Sequence, residues 1–231
     1  MKIAAIVPAA GSGRRLGYSV DKPYIRLHGK PLLIYSLEVL QRSKKITQIV
    51  VVAEKKQLRR VEKLVLRYRI AKVASLVAGG RTRSESVRNG LRVLKSDIDF
   101  VLIHDGARPF LTTKLIDNCF KAAAVHKAAI CAVPCASTIK SVTRDLRVHS
   151  TLNRNTLWQV QTPQVFAYRL IARAYKKFAG GRYAFFDDSS LVERLPHKVK
   201  VVPGATGNIK ITTPEDLKLA KAILKTQRST E

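Results

Sequence analysis

A run of apolar residues leads into a loop of small residues and arginines in the stretch Ile3-Ala4-Ala5-Ile6-Val7-Pro8-Ala9-Ala10-Gly11-Ser12-Gly13-Arg14-Arg15-Leu16-Gly17. The run shows no polar alternation, which is typical of a strand buried on both faces of a parallel sheet. Small residues let backbone N–H groups approach a ligand closely, and arginines add positive charge. The loop is therefore predicted to bind phosphate.

Two common phosphate-binding motifs do not account for this loop. The dinucleotide fingerprint needs a small residue where Leu16 stands, and an acidic residue about 20 positions further on, after a second strand. A Walker A loop needs Ser or Thr after Gly29-Lys30, where the sequence has Pro31. We expect the loop to hold a nucleoside triphosphate by another scheme.

Beyond the loop, short apolar runs alternate with segments of helical periodicity. The predicted strands are residues 3–7, 49–53, 73–77, 100–103 and 129–133. The predicted helices are residues 32–40, 55–68, 85–94 and 114–126. This alternation predicts right-handed βαβ units. The expected fold class is α/β, with a Rossmann-like, mostly parallel sheet flanked by helices.

The pattern changes after Pro134. Residues 137–152 alternate between polar and apolar types on both sides of a turn at Arg144-Asp145, which predicts a β-hairpin. We expect residues 134–157 to form a projecting arm that makes a homodimer. The chain as a whole, residues 1–231, is expected to be a single domain carrying this arm.

The last part of the chain returns to the α/β pattern. Strands are predicted at residues 199–202 and 208–212, and a helix follows them. Thr213-Pro214-Glu215-Asp216 predicts where that helix begins: an N-cap, proline at the first position and an acid at the third.

Composition limits the class of protein. The 231 residues are 46% hydrophobic, which excludes a disordered chain, and no apolar run of about 18 residues could span a membrane. The apolar start before Pro8 is too short for a signal-peptide core, and three cysteines cannot all pair. We expect a cytoplasmic protein with no membrane partner.

The charge balance points to anionic partners. Lys and Arg number 43 against 16 acidic residues, a net charge of +27. The alternatives are nucleic acid and phosphorylated small molecules. There is no long Lys/Arg block, and only 6% of residues are aromatic, whereas RNA-binding surfaces interleave aromatics with cations. We do not expect nucleic acid to bind, and a basic RNA-binding protein is kept as the alternative class.

The opening stretch resembles nucleotidyltransferases that activate sugar phosphates, and more closely the 2-C-methyl-D-erythritol 4-phosphate cytidylyltransferases of non-mevalonate isoprenoid synthesis. The resemblance continues in family order almost to the end of the chain. The matching segments are residues 4–16, 79–87, 104–109, 158–164 and 208–212. It implies transfer of a cytidylyl group from CTP to a polyol phosphate, with release of pyrophosphate and with Mg²⁺ or another divalent cation as cofactor.

The resemblance also implies roles for single residues. Those that would carry catalysis are Arg15 at the β- and γ-phosphates, Lys22 near the α-phosphate and Lys210 at the reacting phosphate. Those that would line the nucleotide are Ala9, Ala10, Gly11, Gly80 and Ser86. Those that would bind the acceptor are Asp105, Arg108, Thr138, Arg154 and Thr162. Asp105 would also hold the metal, and Thr138 and Arg154, which flank the hairpin, would serve the partner subunit's site.

Three positions depart from the family pattern. The family usually has Pro-Lys-Gln where this chain has Asp21-Lys22-Pro23, which keeps the cation. Phe186 stands where the family often has threonine, and Gly207 stands where some relatives have an acid. The last two bear on the acceptor pocket, so a ribitol 5-phosphate cytidylyltransferase is the alternative within this class.

Overall fold

The structure, a computed structural model, describes residues 1–11, 21–178 and 185–228. For residues 227 and 228 it describes the backbone alone. Within these residues the strands, in chain order, are β1 (Ile3–Pro8), β2 (Arg26–Leu27), β3 (Lys30–Pro31), β4 (Ile46–Ala53), β5 (Val73–Ala78), β6 (Phe100–Ile103), β7 (Ala128–Pro134), β8 (Lys140–Val142), β9 (Val148–Thr151), β10 (Trp158–Ala167) and β11 (Lys200–Pro203). The helices are α1 (Leu32–Arg42), α2 (Leu58–Arg67), α3 (Arg83–Arg92), α4 (Thr113–His126), α5 (Tyr168–Phe178), α6 (Ser189–Glu193) and α7 (Pro214–Arg228).

The central sheet confirms the predicted α/β class. Among the described residues it has seven strands in the order β11-β7-β10-β6-β1-β4-β5. β10 runs antiparallel to both of its neighbours, and the remaining neighbours in the sheet pair in parallel. The sheet is therefore mostly parallel, as predicted, and its one reversed strand was not foreseen.

Helices cover both faces of the sheet, which explains the continuous apolar strands. In β1, Ala5 and Val7 pack into one core with residues of α1 and α4. Ala4 and Ile6 pack into a second core with residues of α3 and α5. Because successive side chains of a strand point to opposite faces, both sets need apolar residues.

The arm and the C-terminal helix follow the prediction in most respects. β8 and β9 pair antiparallel as a separate two-stranded sheet, so the hairpin is confirmed. At the start of α7, the Thr213 hydroxyl accepts from the Asp216 N–H, and the Asp216 carboxylate accepts from the Thr212 and Thr213 N–H groups. The predicted cap is therefore present.

The strand predicted at residues 208–212 is wrong. This segment has no ladder partner among the described residues. Instead, the Asn208 side chain donates to the Thr162 carbonyl in β10 at 2.8 Å, and the Ile211 N–H donates to the Ala107 carbonyl beyond β6 at 2.9 Å. The segment bridges the ends of two neighbouring strands, and its apolar alternation reflects the burial of Ile211.

Candidate active site

The loops that follow the parallel strands meet at one edge of the sheet. The Ala9 N–H donates to the Val52 carbonyl of β4, and the Gly79 N–H to the Ala53 carbonyl at that strand's end. The Gly106 N–H donates to the Pro8 carbonyl, which keeps the loop after β6 beside β1. In open α/β sheets this carboxyl edge is where ligands bind.

A cavity of about 520 Å³ opens at this edge; we call it the strand-end cavity. Its lining combines small residues from the first loop with cations and with two carboxylates at strand ends, Glu54 and Asp105. Eight of the residues singled out from the sequence line it: Ala9, Ala10, Gly11, Lys22, Gly80, Ser86, Asp105 and Lys210. Arg15 lies outside the described residues.

The wall of this cavity is close-packed around the glycines. A Cβ on Gly79 would lie 2.6 Å from the Ala10 Cβ, and a Cβ on Gly80 would lie 2.3 Å from the Glu85 Cβ. The Ser86 hydroxyl donates to the Thr82 carbonyl and accepts from the Gly80 N–H at 3.1 Å. Ser86 therefore fixes the backbone that forms one side of the cavity.

A second cavity of about 460 Å³, the adjoining cavity, lies beside the first. Arg108 and Thr162 line it, and the two cavities share Arg83, Asp105 and Lys210. β10 brings Thr162 here because it is antiparallel: Gln164 pairs with Ile103, so the residues before Gln164 extend past the carboxyl end of β6.

Asp105 is the centre of the shared wall. Arg83 Nε donates to its Oδ1 at 2.8 Å, and Lys210 Nζ lies 2.8 Å from its Oδ2. Burial alone would raise the pKa of the Asp105 carboxyl, but the charges of Arg83 and Lys210 outweigh burial and hold the pKa well below its usual range. Asp105 is therefore ionised at neutral pH, and it orients both cations.

His104 is structural. It is fully buried, and its Nε2 lies 3.1 Å from the Arg108 carbonyl, which can only accept a hydrogen bond. Burial lowers its pKa to about 4, so the ring is neutral and its Nδ1 accepts from the Thr162 hydroxyl at 3.0 Å. Thr162 in turn accepts from the Asp105 N–H, so this chain of bonds positions Asp105.

Arg108 lines the adjoining cavity and has one buried donor without a hydrogen-bond partner in the part of the chain that the structure describes. Its Nη1 donates to the Asn208 carbonyl at 2.8 Å. Its buried Nε has no hydrogen-bond partner among the described residues, and the nearest carboxylate oxygen, from Asp105, is 3.9 Å away. A buried donor without a partner is unfavourable, so this arginine is not fully satisfied by the described protein groups.

The structure does not bring Thr138 and Arg154 into either cavity. Both are exposed on the arm, and Arg154 Nη1 contacts the Ala136 carbonyl at 3.4 Å. Neither residue lines the strand-end or the adjoining cavity of its own chain.

Sequence analysis assigned no role to Arg83, although it lines both cavities. Arg83 is the first residue of α3, where the helix dipole disfavours a cation. A basic residue at that position is a signal that carboxylates lie nearby. Asp105 and Asp188 do, both at 2.8 Å.

Comparison with known proteins agrees with this geometry. Residues 3–226 match the family model described as 2-C-methyl-D-erythritol 4-phosphate cytidylyltransferase. The chain is 46% identical over 225 residues to the enzyme of that name from Syntrophus aciditrophicus, covering 97% of this chain and 96% of the relative. It is 44% identical to the one from Halalkalibacterium halodurans, covering 97% of each.

The chain is also similar to solved structures of enzymes of this kind. The crystal structure of 4-diphosphocytidyl-2C-methyl-D-erythritol synthase from Anaerococcus prevotii superposes with a TM-score of 0.85 at 36% identity, covering 96% of each chain. A Thermus thermophilus 2-C-methyl-D-erythritol 4-phosphate cytidylyltransferase structure superposes with a TM-score of 0.78 at 26% identity, covering 97% of this chain and 100% of that one. The chain therefore belongs to the 2-C-methyl-D-erythritol 4-phosphate cytidylyltransferase family.

Proposed function

We propose that this cytidylyltransferase transfers the cytidylyl group of CTP to 2-C-methyl-D-erythritol 4-phosphate. CTP would bind in the strand-end cavity, and the acceptor would bind in the adjoining cavity. The observation that carries the proposal is the wall of Arg83, Asp105 and Lys210 that the two cavities share. Two anionic substrates would meet there beside fixed cations. The products are the cytidine diphosphate derivative of the acceptor, on the pathway to isoprenoid precursors, and pyrophosphate.

The reaction needs alignment and charge neutralisation rather than a general base. An oxygen of the acceptor phosphate, already ionised near neutral pH, forms a bond to the α-phosphorus of CTP as the bond to pyrophosphate breaks. Negative charge accumulates on the α-phosphate oxygens. Lys22 and Lys210 line the cavity where this charge develops and would stabilise it.

The nucleotide would lie against the small residues Ala9, Ala10 and Gly11, with Gly80 and Ser86 beside the base and ribose. Arg15 would bind the β- and γ-phosphates. The cationic side chain of Arg108, which lines the adjoining cavity, supports a place for the acceptor phosphate there. Asp105 and Thr162 would bind the acceptor as well.

Asp105 would also hold the divalent cation. A carboxylate is the ligand that Mg²⁺ prefers, and Mg²⁺ is commonly bound by one or two carboxylates together with substrate phosphates. Among the described residues no group of three or more His, Cys, Asp or Glu side chains is arranged to hold a metal ion. When bound, the cation neutralises phosphate charge.

We propose that the arm makes a homodimer and carries Thr138 and Arg154 to the partner's site. In this chain both lie outside the cavities and are exposed. The arm also exposes apolar side chains that a partner would cover: Val142, Leu146, Val148 and Leu152. Arg154 could hold a phosphate by two hydrogen bonds through its planar guanidinium.

No helix in the described parts of the chain has the length and apolar character to cross a membrane. A cytoplasmic location is supported by the three cysteines, which are buried and unpaired, as is usual in a reducing compartment.

The experiment that tests the function is a substrate panel. Each of the four nucleoside triphosphates is incubated with Mg²⁺ and either 2-C-methyl-D-erythritol 4-phosphate or ribitol 5-phosphate, and pyrophosphate release is measured. We expect release only with CTP and the methylerythritol acceptor. Equal turnover with ATP or GTP, or turnover only with ribitol 5-phosphate, would refute the assignment.

The two lysines make a more specific prediction. Lys22→Ala and Lys210→Ala should each lower kcat about 10²-fold, or roughly 3 kcal/mol, the scale for removing a donor aimed at transition-state charge. Steady-state kinetics with both substrates gives kcat and KM. Lys218→Ala, which removes an exposed lysine of α7, is the control and should change neither. A rise in KM at constant kcat would instead indicate ground-state binding.

A further inference from the structure

A chain of charged contacts runs from the interior of the protein to the wall that the two cavities share. The Tyr175 hydroxyl of α5 donates to Asp188 Oδ1 at 2.6 Å. Asp188 Oδ2 lies 2.8 Å from Arg83 Nη2, and Arg83 Nε donates to Asp105 Oδ1 at 2.8 Å. Lys210 completes the chain at Asp105 Oδ2. Tyr175 and Asp188 are thus linked to Lys210 through Arg83 and Asp105.

Asp188 does not belong to the substrate-binding surface. Its side chain is fully buried, and it lines neither the strand-end nor the adjoining cavity. Tyr175 is buried as well and also lines neither. The side-chain contact that joins these two residues to the wall shared by both cavities is the ion pair between Asp188 and Arg83.

The backbone around Asp188 is held independently of that ion pair. The neighbouring Asp187 carboxylate accepts from the Gln164 side chain, the Ser189 hydroxyl and the Ser190 N–H. The Ser189 N–H donates to the Gln164 side-chain oxygen. Asp188 is thus presented to Arg83 from a fixed loop, and a change in its charge alone need not move that loop.

Arg83 is fixed at two points. Its Nε and Nη2 contact different carboxylates, so the plane of the guanidinium cannot turn without losing one of them. The contact with Asp188 is an ion pair in which Arg83 Nη2 lies 2.8 Å from Oδ2, so the charge of Asp188 contributes to it. Neutralising Asp188 would therefore remove one of the two anchors.

We propose that Asp188, supported by Tyr175, is a positioning residue of cytidylyl transfer that acts through Arg83 on Asp105 and Lys210. With the Asp188 anchor, Arg83 holds the Asp105 carboxylate in one orientation, and Asp105 sets the place of the Lys210 ammonium. Without it, Asp105 and Lys210 lose their alignment with the reacting phosphate. This inference rests on the proposed function, since that function places the reaction at the shared wall.

Asp188→Asn is the principal test because it keeps the shape of the side chain and removes its charge. We expect kcat to fall roughly 10- to 100-fold, the usual cost of disturbing a group that orients a reacting one, with KM for CTP changed less than about threefold. Asp97→Asn, which neutralises an exposed carboxylate paired with Lys2, is the matched control and should leave kcat unchanged.

Two further variants separate positioning from general loss of structure. Arg83→Lys keeps the charge but cannot contact both carboxylates as a fork, so it should lower kcat, and combining it with Asp188→Asn should cost little more than either change alone. Tyr175→Phe removes only the hydroxyl that holds Asp188 and should lower kcat about threefold to tenfold. If Asp188→Asn does not fold, Tyr175→Phe decides the question.

A second readout does not depend on activity. The ¹³Cγ NMR signal of Asp105 in the free protein should shift in Asp188→Asn and stay in place in Asp97→Asn. A folded Asp188→Asn with unchanged kcat, an effect confined to KM, or additive losses with Arg83→Lys would overturn the proposal. If the wild-type chain releases no pyrophosphate from CTP, the proposed function fails, and the NMR comparison still tests whether Asp188 orients Asp105.

Discussion

At the scale of single residues, two tyrosines differ in what their hydroxyls contact. Tyr24 is 3% exposed, and its hydroxyl has no hydrogen-bond partner among the described residues. The Tyr35 hydroxyl donates to the Leu27 carbonyl at 2.6 Å. Tyr24→Phe should therefore raise the unfolding free energy by about 1 kcal/mol, and Tyr35→Phe should lower it by about the same amount. Urea unfolding at neutral pH measures both.

The pH dependence of the Tyr24→Phe effect follows from the same burial, which raises the pKa of Tyr24 to about 12. Above pH 10 the unfolded chain releases the phenol proton while the folded chain keeps it, so the wild-type unfolding free energy falls. The phenylalanine variant lacks this loss. Its advantage should widen by about 1 kcal/mol at pH 11, and a constant difference from pH 8 to pH 11 would contradict the burial argument.

Most of the residues that sequence analysis singled out line one of the two cavities, but it gave no role to Arg83, which lines both. Asp105 and Lys210 were singled out by resemblance, and both lie on the shared wall. Arg83 stood inside a quoted segment without a role. Its importance depends on Asp188, which is more than a hundred positions away in the sequence, and sequence spacing alone does not reveal such a contact.

At the scale of elements, α3 packs closely on the sheet because Gly90 has no side chain. A Cβ there would lie 2.8 Å from Ile6 Cγ2 and 3.1 Å from Val52 Cγ2. Overpacking costs about 1–3 kcal/mol, whereas alanine gains about 1 kcal/mol in a helix over glycine. Gly90→Ala should therefore destabilise the protein by about 1 kcal/mol, measured by urea unfolding.

Gly207→Ala is the matched control, because a Cβ there meets nothing within 4 Å and the backbone needs no positive φ. It should be neutral or slightly stabilising, since alanine restricts the unfolded chain. If both substitutions had the same effect, the close approach of α3 to β1 and β4 would not limit the size of residue 90.

Sequence analysis missed the strand β10 for a physical reason. β10 lies in the middle of the sheet, although it contains Pro163 and four polar residues, which argue against a central strand. Several of those polar groups bond at the site: Gln161 to Ala205, Thr162 to His104, and Gln164 to Asp187. Segment 208–212 shows the opposite error, because its alternation imitates a strand while its backbone spans strand ends.

At the scale of the whole molecule, the net charge of +27 should act on every anionic substrate. A positive field raises the local concentration of CTP, and salt screens it over about 10 Å at 0.1 M. At constant Mg²⁺, KM for CTP should rise roughly 3- to 10-fold between 0.05 and 0.5 M salt, with kcat nearly constant. The series is run once with potassium chloride and once with potassium glutamate. Screening should raise KM equally in both salts, whereas competition for the site by one anion should raise it in one salt only. A KM for CTP that does not change with salt would contradict a role of the net charge in attracting CTP.

The single domain and the dimer are also whole-molecule predictions. The arm gives a test, because Lys210 and Arg154 would belong to different subunits at each site. Lys210→Ala and Arg154→Ala, each nearly inactive, are unfolded together and refolded as a mixture. If Arg154 acts in the partner's site, each mixed dimer has one site with both lesions and one with neither. Random pairing makes about half of the dimers mixed, so about a quarter of wild-type activity should return.

The control for this experiment is a mixture of Lys210→Ala with Lys22→Ala. Both lysines line the same cavity of one chain, so every site in a mixed dimer carries a lesion and no activity should return. Differently tagged subunits recovered together establish that mixed dimers formed. If they form and the Arg154 mixture is as inactive as the control, Arg154 acts within its own chain, and the exposed arm serves assembly without completing the neighbouring site.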